Sequence, residues 1–229
     1  MLLMILTSKF PRPVRLLAGT ALLASLGLAS CNKDEEVVAP SVANEAITTM
    51  TLTVTNAANP GDTQTATWEQ LLDAQGAPVA SGPNYSQANL TLKPNTTYNV
   101  AVGLLDKTQT PTFDVGTEIK ERANIHSFFF QPLPTTQALV IPAPTGSDTY
   151  PLPIPTPLPT GPVLNLTVTR TDADTNTPAL PVGLTDKFVT GAASTGYLRV
   201  VLRHQPNVKD GSFAPGSTDF DAGFNVKIQ

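Results

Sequence analysis

The two histidines of this chain, His126 and His204, are its only imidazole side chains. Histidine is the commonest metal ligand in proteins, and it also ligates haem iron. Together with Glu118 or Glu121, the pair has the donor types of a metal site. The spacing does not match H-E-x-x-H or another established metal motif. A metal or haem site therefore depends on whether the fold brings the two histidines together.

A structural role is the competing interpretation of both histidines. His204 is in phase with Leu198, Val200 and Leu202 on the apolar face of a predicted strand. A histidine at the end of such a strand can pack in the core and bond to a backbone partner. The sequence leaves the structural and the ligand interpretations open.

Three oxygen-bearing side chains, Asp172, Asp174 and Asn176, have the spacing that begins an EF-hand calcium loop. Thr177 stands where that loop needs glycine, and Gly183 stands where it needs a bidentate glutamate. We therefore predict a hairpin loop here, with a calcium site as the alternative.

The side chains available for enzymatic catalysis are few. Cys31 is the only cysteine, no G-x-S-x-G motif occurs, and two histidines offer little choice of general base. We therefore expect a protein that is not an enzyme. Trp68, Tyr85 and Tyr150 would stack on sugar rings if they were exposed, but a lone tryptophan on an alternating strand is more typical of a core.

Residues 1–30 are typical of a secretory signal peptide, with three basic residues before an apolar run of 13 residues at 16–28. A membrane-spanning helix needs about 20 apolar residues. The following Leu-Ala-Ser-Cys31 resembles the lipobox of bacterial lipoproteins. That resemblance implies that Cys31 becomes the first mature residue and carries a diacylglyceryl group, so that the lipid anchors the chain to a membrane.

Residues 31–45 are predicted to form a flexible, acidic tether. Four of them resemble the export signal with which some bacteria move lipoproteins to the outer face of the outer membrane: Lys33, Asp34, Glu35 and Glu36. Asn32, directly after the cysteine, also fits outer-membrane sorting. We expect an outer-membrane protein that is exposed at the cell surface.

The charge of the mature chain limits its partners. Residues 1–30 hold three of the 14 basic residues and none of the 18 acidic ones, which leaves 11 against 18 and a net charge of −7. An acidic chain without a basic patch argues against nucleic acid as a partner.

Apolar residues alternate with polar ones from residue 46 onward, which predicts β-strands. In the first strand Met50, Leu52 and Val54 share one face, and threonines occupy the other. Further strands are predicted at residues 64–71, 88–92, 97–105, 164–170, 187–190, 197–204 and 220–228. One short helix is predicted between Asp114 and Ile125, and the phenylalanines at 128–130 favour a strand after it.

The stretch from Leu92 to Val102, with the pattern L-x-P-x-T-x-Y-x-V-x-V, is the most specific fold signal. It resembles the corner between strands E and F of fibronectin type III and immunoglobulin-like sandwiches, where a tyrosine hydroxyl bonds back to the preceding turn. Tyr98 would have that role here. The predicted fold is an all-β, immunoglobulin-like antiparallel sandwich with one short helix.

Residues 132–162 contain 10 of the 22 prolines. Alternate prolines remove every second backbone donor, which excludes a central strand and favours polyproline II or an extended edge. We predict an excursion from one sandwich of residues 46–229. The alternative is a linker between two small sandwiches, 46–131 and 163–229.

Several segments carry a family resemblance: 44–53, 95–98, 118–119, 126–130, 181–185 and 202–206. Together they resemble a family of uncharacterised bacterial lipoproteins, whose members are sometimes labelled "type 1 periplasmic binding fold superfamily". Such binding domains need repeated βα units, whereas this chain has one helix candidate among many strands. The resemblance implies the envelope location and the extent of the domain, and it implies no activity.

These features predict an outer-membrane-anchored, non-enzymatic binding or interaction module. Its partner would be a glycan, an envelope protein, or a metal or haem held by His126 and His204. The alternative is a structural envelope lipoprotein without a small ligand. Histidines within ligation reach of each other would favour the binding module.

Overall fold

The computed structural model describes residues 46–134 and 161–229, and the predicted alternation forms strands throughout them. In chain order these strands are β1 (Thr49–Asn56), β2 (Thr63–Glu69), β3 (Asn89–Leu92), β4 (Thr97–Asp106), β5 (Phe113–Asp114), β6 (His126–Leu133), β7 (Leu166–Arg170), β8 (Thr185–Thr190), β9 (Ser194–His204) and β10 (Ser217–Ile228). Each predicted strand is present, with its ends shifted by a few residues.

The strands form two sheets. One has the order β2-β1-β4-β8-β7, with β5 paired to the end of β4, and the other has the order β3-β10-β9-β6. The pairs are antiparallel except for β3 and β10, which are parallel. Each sheet combines strands from both sides of the proline-rich segment. The predicted all-β sandwich is confirmed.

The hydrophobic core lies between the sheets and uses the inward face of each strand. Leu52 and Tyr98 come from the first sheet, and Phe128, Leu202 and Phe224 from the second. Fully burying one such side chain contributes roughly 1.5–3 kcal/mol. Trp68 is also part of this core, since its ring is 5% exposed and packs edge-on against Phe220 at 4.8 Å.

Strand β9 is buried on both faces, because loop 205–216 covers its outer side. There Phe213 packs against Phe129 and Val201 in a second, smaller apolar cluster. The buried guanidinium of Arg203 donates to the carbonyl of Gly216 at 2.8 Å, which ties the end of this loop to the sheet. The start of β10 is thereby held beside the end of β9.

The predicted helix corresponds to α1 (Val115–Glu121), which a 3₁₀ turn (Ala123–Ile125) connects directly to β6. Val115 and Ile119 are buried against the core. Asp114 lies at the N-cap, where its carboxylate accepts from the Thr117 hydroxyl at 3.0 Å and not from a backbone N–H. The turn decides where β6 begins.

Tyr98 has the hydrogen bond expected of the tyrosine corner. Its hydroxyl accepts from the backbone N–H of Lys93 at 2.8 Å, and its side chain is 1% exposed. A buried backbone donor without such a partner would cost roughly 1–3 kcal/mol.

Among the described residues, no helix is long and apolar enough to span a bilayer. The predicted signal peptide and tether lie outside the described residues, and so does most of the proline-rich segment, residues 135–160.

Candidate metal centre

The two histidines meet where strands β6 and β9 pair. His126 begins β6 and His204 ends β9, and the antiparallel register places them opposite each other. Their rings stack with centroids 4.9 Å apart and an angle of 17° between the planes. Directly opposite residues of an antiparallel pair have their side chains this close. The fold therefore brings together two candidate ligands that are far apart in the chain.

A third side chain, Asp219, reaches the histidines because β10 contains a β-bulge. The register of β10 against β9 shifts so that Thr218 lies opposite Arg203 and Phe220 lies opposite Leu202, which leaves Asp219 as the extra residue. In a regular ladder Asp219 itself would lie opposite Arg203, on the other face of the sheet. Bulges re-aim side chains in this way and are frequent beside functional sites.

His126, His204 and Asp219, called here the His/His/Asp cluster, have candidate ligand atoms that all lie within 4.8 Å of one another. Nε2 of His126 is 3.6 Å from Oδ2 of Asp219, and Nδ1 of His204 is 3.9 Å from Oδ1. Both distances are too long for good hydrogen bonds. A metal bound at about 2.1 Å holds its ligands roughly 3.4 Å apart, so a small contraction would complete the site.

The ring of His126 is oriented by the turn that precedes it. Its Nδ1 lies 3.1 Å from the carbonyl oxygen of Arg122. A carbonyl only accepts, so Nδ1 carries the proton and Nε2 keeps its lone pair toward Asp219. Metal-binding histidines almost always donate their other N–H to such a partner.

Access to the cluster differs among its members. The side chain of His126 is 1% exposed, whereas those of His204 and Asp219 are each 24% exposed. Solvent therefore reaches the cluster from the side of His204 and Asp219. Nε2 of His204 is buried without a hydrogen-bond partner in the described residues, and a buried polar atom in that state is costly.

Burial also sets the protonation of the cluster. It lowers the pKa of His126 to about 4, and the positive charges of Arg122 and Lys209 act in the same direction. Burial lowers the pKa of His204 as well. It raises the pKa of Asp219 to about 6, with the charge of Arg122 opposing the rise. At neutral pH the cluster therefore presents neutral imidazoles and a carboxylate, the forms that bind metal ions.

The two glutamates predicted as further metal ligands lie elsewhere. Glu118 forms an ion pair with Arg122 at 3.0 Å, one helical turn away. Glu121 is exposed on α1. Within residues 46–134 and 161–229, no second group of three such side chains comes as close together as the His/His/Asp cluster.

The carboxylates of the candidate calcium loop are occupied by hydrogen bonds. Asp172 accepts the backbone N–H groups of Gly183 at 2.7 Å and Leu184 at 2.9 Å. Asp174 accepts the N–H of Leu180 at 2.8 Å and the ammonium group of Lys209 at 2.8 Å. These hydrogen bonds hold together the loop between β7 and β8.

A polar cleft of about 320 Å³ lies next to the turn before His126. Three segments of the chain contribute its lining: Asn124 and Ile125; Asn176, Thr177, Pro178 and Leu180; and Asn207 with Lys209. The cleft and the His/His/Asp cluster therefore share one turn.

Asp219 is the candidate ligand that the sequence does not connect with the two histidines. Its position at the start of a predicted strand is visible in the sequence, but the bulge that re-aims it has no glycine or proline at that point to mark it. Cys31 and the residues of the predicted export signal, Lys33, Asp34, Glu35 and Glu36, lie outside the described residues, as does Tyr150.

Comparison of the chain with protein-family models, curated proteins and solved structures gave no match.

Proposed function

We propose that this chain is a lipid-anchored, non-enzymatic binding module of the bacterial outer membrane, and that it binds a divalent transition metal ion through His126, His204 and Asp219. The observation that carries this proposal is the convergence of their ligand atoms within 4.8 Å. The orientation of His126 by the Arg122 carbonyl supports it, because this contact leaves Nε2 free to coordinate.

The donor set favours a transition metal over calcium or magnesium. Imidazole nitrogen suits zinc, copper, nickel and iron, whereas calcium and magnesium prefer oxygen ligands. A single ion is also favoured over haem. Iron in a bis-histidine haem takes its two nitrogens from opposite faces of the macrocycle, whereas the imidazoles of His126 and His204 lie side by side.

The location at the outer membrane rests on the sequence. The lipobox-like residues before Cys31 and the acidic run at 33–36 support a surface lipoprotein, as does the resemblance to uncharacterised bacterial lipoproteins. A module held at the cell surface meets metal ions from outside the cell, which fits a site whose open side is formed by His204 and Asp219.

The test uses residues 32–229, which include the compact unit Val42–Gln229 and lack the lipid. Calorimetric titration and thermal melting with Zn²⁺, Ni²⁺, Cu²⁺ and Ca²⁺ measure affinity and selectivity. A ligand present at 100 times its dissociation constant adds about 2.7 kcal/mol to stability, which is a measurable melting shift. We expect the shift with the transition metals and none with Ca²⁺.

Four variants locate the site. His126→Ala, His204→Ala and Asp219→Asn each remove one ligand, and we expect each to weaken metal binding strongly. Glu121→Gln is the matched control, because it removes a carboxylate from an exposed position outside the cluster. If the three cluster variants bound metal as tightly as the wild-type protein does, the proposed site would be contradicted. Absence of any metal shift would favour a structural lipoprotein or a binder of glycans or envelope proteins.

A further inference from the structure

The 3₁₀ turn before His126 is held from outside by contacts from two other parts of the chain, the loop 205–216 and Asn176. Lys209 Nζ donates to the carbonyl of Ala123 at 2.8 Å. The side-chain amide of Asn176 donates to the carbonyl of Asn124 at 3.3 Å. The backbone N–H of Gln205 donates to the carbonyl of Ile125 at 2.6 Å. The carbonyls of three successive residues therefore each have a distant partner.

Asp174 organises two of these donors. Its Oδ2 accepts from Lys209 Nζ at 2.8 Å and from the side-chain amide of Asn176 at 2.9 Å. Its Oδ1 accepts the backbone N–H groups of Asn176 at 3.1 Å and Leu180 at 2.8 Å. The side chains of Asp174 and Lys209 are 0% and 2% exposed, so this is a buried charge pair whose geometry is restricted by its surroundings.

This 3₁₀ turn also determines the position of the His126 ring. The backbone N–H of His126 donates to the same Ala123 carbonyl that receives Lys209. The ring Nδ1 donates to the preceding carbonyl, that of Arg122. A displacement of Ala123 or Arg122 would therefore change the direction in which Nε2 points.

We propose that Asp174, Lys209 and Asn176 are positioning residues for the metal site, and that they act on His126 through the 3₁₀ turn. The Asp172-x-Asp174-x-Asn176 segment then has a role other than calcium binding, because it orients a transition-metal ligand on a different strand. This inference rests on the metal binding proposed above, and its test contains a measurement that needs no metal.

The first measurement is the tautomer of His126 in the metal-free protein, read from imidazole ¹⁵N chemical shifts. In the wild-type protein we expect the proton on Nδ1, because Nδ1 donates to the Arg122 carbonyl. In Lys209→Met the donor to Ala123 is lost, and we expect a mixture of tautomers. Asn176→Ala is a milder variant that removes the amide's contacts with Asn124 and Asp174 and keeps the bond from Lys209 to Ala123, and it serves if Lys209→Met does not fold.

The second measurement is the dissociation constant for Zn²⁺ at a temperature well below the melting transition. Outer-shell partners of a metal site typically change its affinity by about 10–100-fold, and we expect a loss of about 10-fold in Lys209→Met. Thr177→Ala is the matched control, because Thr177 lines the same cleft. We expect the control to bind Zn²⁺ as the wild-type protein does.

A double variant separates positioning from stability. Lys209→Met with Asp174→Asn removes both buried charges and keeps an oxygen acceptor for the N–H groups of Asn176 and Leu180. We expect its melting temperature to recover from that of Lys209→Met, because no unpaired charge is left buried. We expect its Zn²⁺ affinity to stay about 10-fold low, because no side chain donates to Ala123.

The outcomes are distinguishable. If His126 in the double variant had the wild-type tautomer and the variant bound Zn²⁺ with wild-type affinity, the positioning role would be overturned. The metal site itself would not be contradicted. A wild-type protein that binds no transition metal would overturn the proposed function, and the tautomer measurement would still decide whether these residues orient His126.

Discussion

Asp186 is a buried carboxylate on the inward face of β8, and neither of its oxygens has a hydrogen-bond partner in the described residues. Burial raises its pKa to about 8, and the negative charge of Asp172 acts in the same direction, while Arg170 opposes it. The ordinary pKa of an aspartate is about 3.9. The folded protein therefore keeps a proton on Asp186 over a pH range in which the unfolded chain has lost it.

This proton makes stability depend on pH. Between about pH 4 and pH 8 Asp186 holds a proton in the folded state that it has lost in the unfolded state. Its contribution to the free energy of unfolding therefore falls as the pH rises, by about 1.4 kcal/mol per unit. Asp186→Asn is neutral at every pH and removes this dependence. We expect its stability relative to wild type to rise between pH 5 and pH 8 by on the order of 1 kcal/mol per unit, as measured by urea denaturation.

Glu121→Gln is the control for this measurement, since it removes a carboxylate at an exposed position. Its stability relative to wild type should change little over the same range. Parallel pH profiles for Asp186→Asn and the wild-type protein would show that Asp186 is ionised in the folded state.

At the scale of elements, the start of β10 decides where Asp219 points. Gly216 precedes this strand with a φ of +83°, and an added Cβ would overlap the carbonyl oxygen of His204. Gly82 has a similar φ of +78°, but nothing lies within 4 Å of an added Cβ. Gly216 and Gly82 therefore have similar backbone conformations, but only at Gly216 would an added side chain overlap a neighbouring group.

We therefore expect different costs for two alanine substitutions. Gly82→Ala should cost about 1–2 kcal/mol, because a side chain is strained in this backbone region. Gly216→Ala should cost a further 1–3 kcal/mol or so, because the overlap forces the backbone apart. It should also weaken Zn²⁺ binding, since Asp219 moves with the strand. Urea denaturation and calorimetric titration measure the two effects, and equal stabilities would contradict the contact.

The strands themselves could be predicted from alternation because their burial follows it. In β4 buried side chains alternate with exposed or half-buried ones, and Val100, Val102 and Leu104 face inward. Strand β9 departs from this pattern, because Arg199, Val201 and Arg203 on its outer side are also buried. The loop 205–216, which directly follows β9, folds back over that side. Alternation within one strand contains no information about such a cover.

At the scale of the whole molecule, the proposed lipid anchor would decide where the sandwich is located. Cys31→Ser removes the sulfur that would carry the lipid, and we expect the protein to lose labelled fatty acid and to move from the membrane fraction to the soluble fraction. Asn32→Ala keeps the cysteine and serves as the control for labelling. A Cys31→Ser protein that remains in the membrane fraction would contradict the lipid anchor.

The whole sandwich also depends on pairing between strands that precede the proline-rich segment and strands that follow it. Strand β4 pairs with β1 and with β8, and β9 pairs with β6 and with β10. Of these, the β4–β8 and β6–β9 pairings each join a strand before residues 135–160 to a strand after them. The sequence left the one-domain and the two-domain interpretations open. Pairing between distant strands depends on how their faces match in three dimensions, which the sequence pattern of each strand does not show.

The sequence by itself determined the β-class of the domain, the positions of its strands, the short helix and the bond of Tyr98 at its corner. These are local properties, since alternation, turn residues and the tyrosine-corner pattern each lie within about a dozen residues. It also identified His126 and His204 by residue type alone.

Only the tertiary structure decided which side chains meet. The register of β6 against β9 stacked the histidines, and a bulge in β10 added Asp219. Burial lowered the pKa of both histidines, so that they are neutral at neutral pH. The same packing placed Asp174 beside Lys209, which lies far from it in the chain. Register, bulges and burial arise from contacts between residues far apart in the chain, and the physical chemistry of each residue's neighbours in sequence does not specify them.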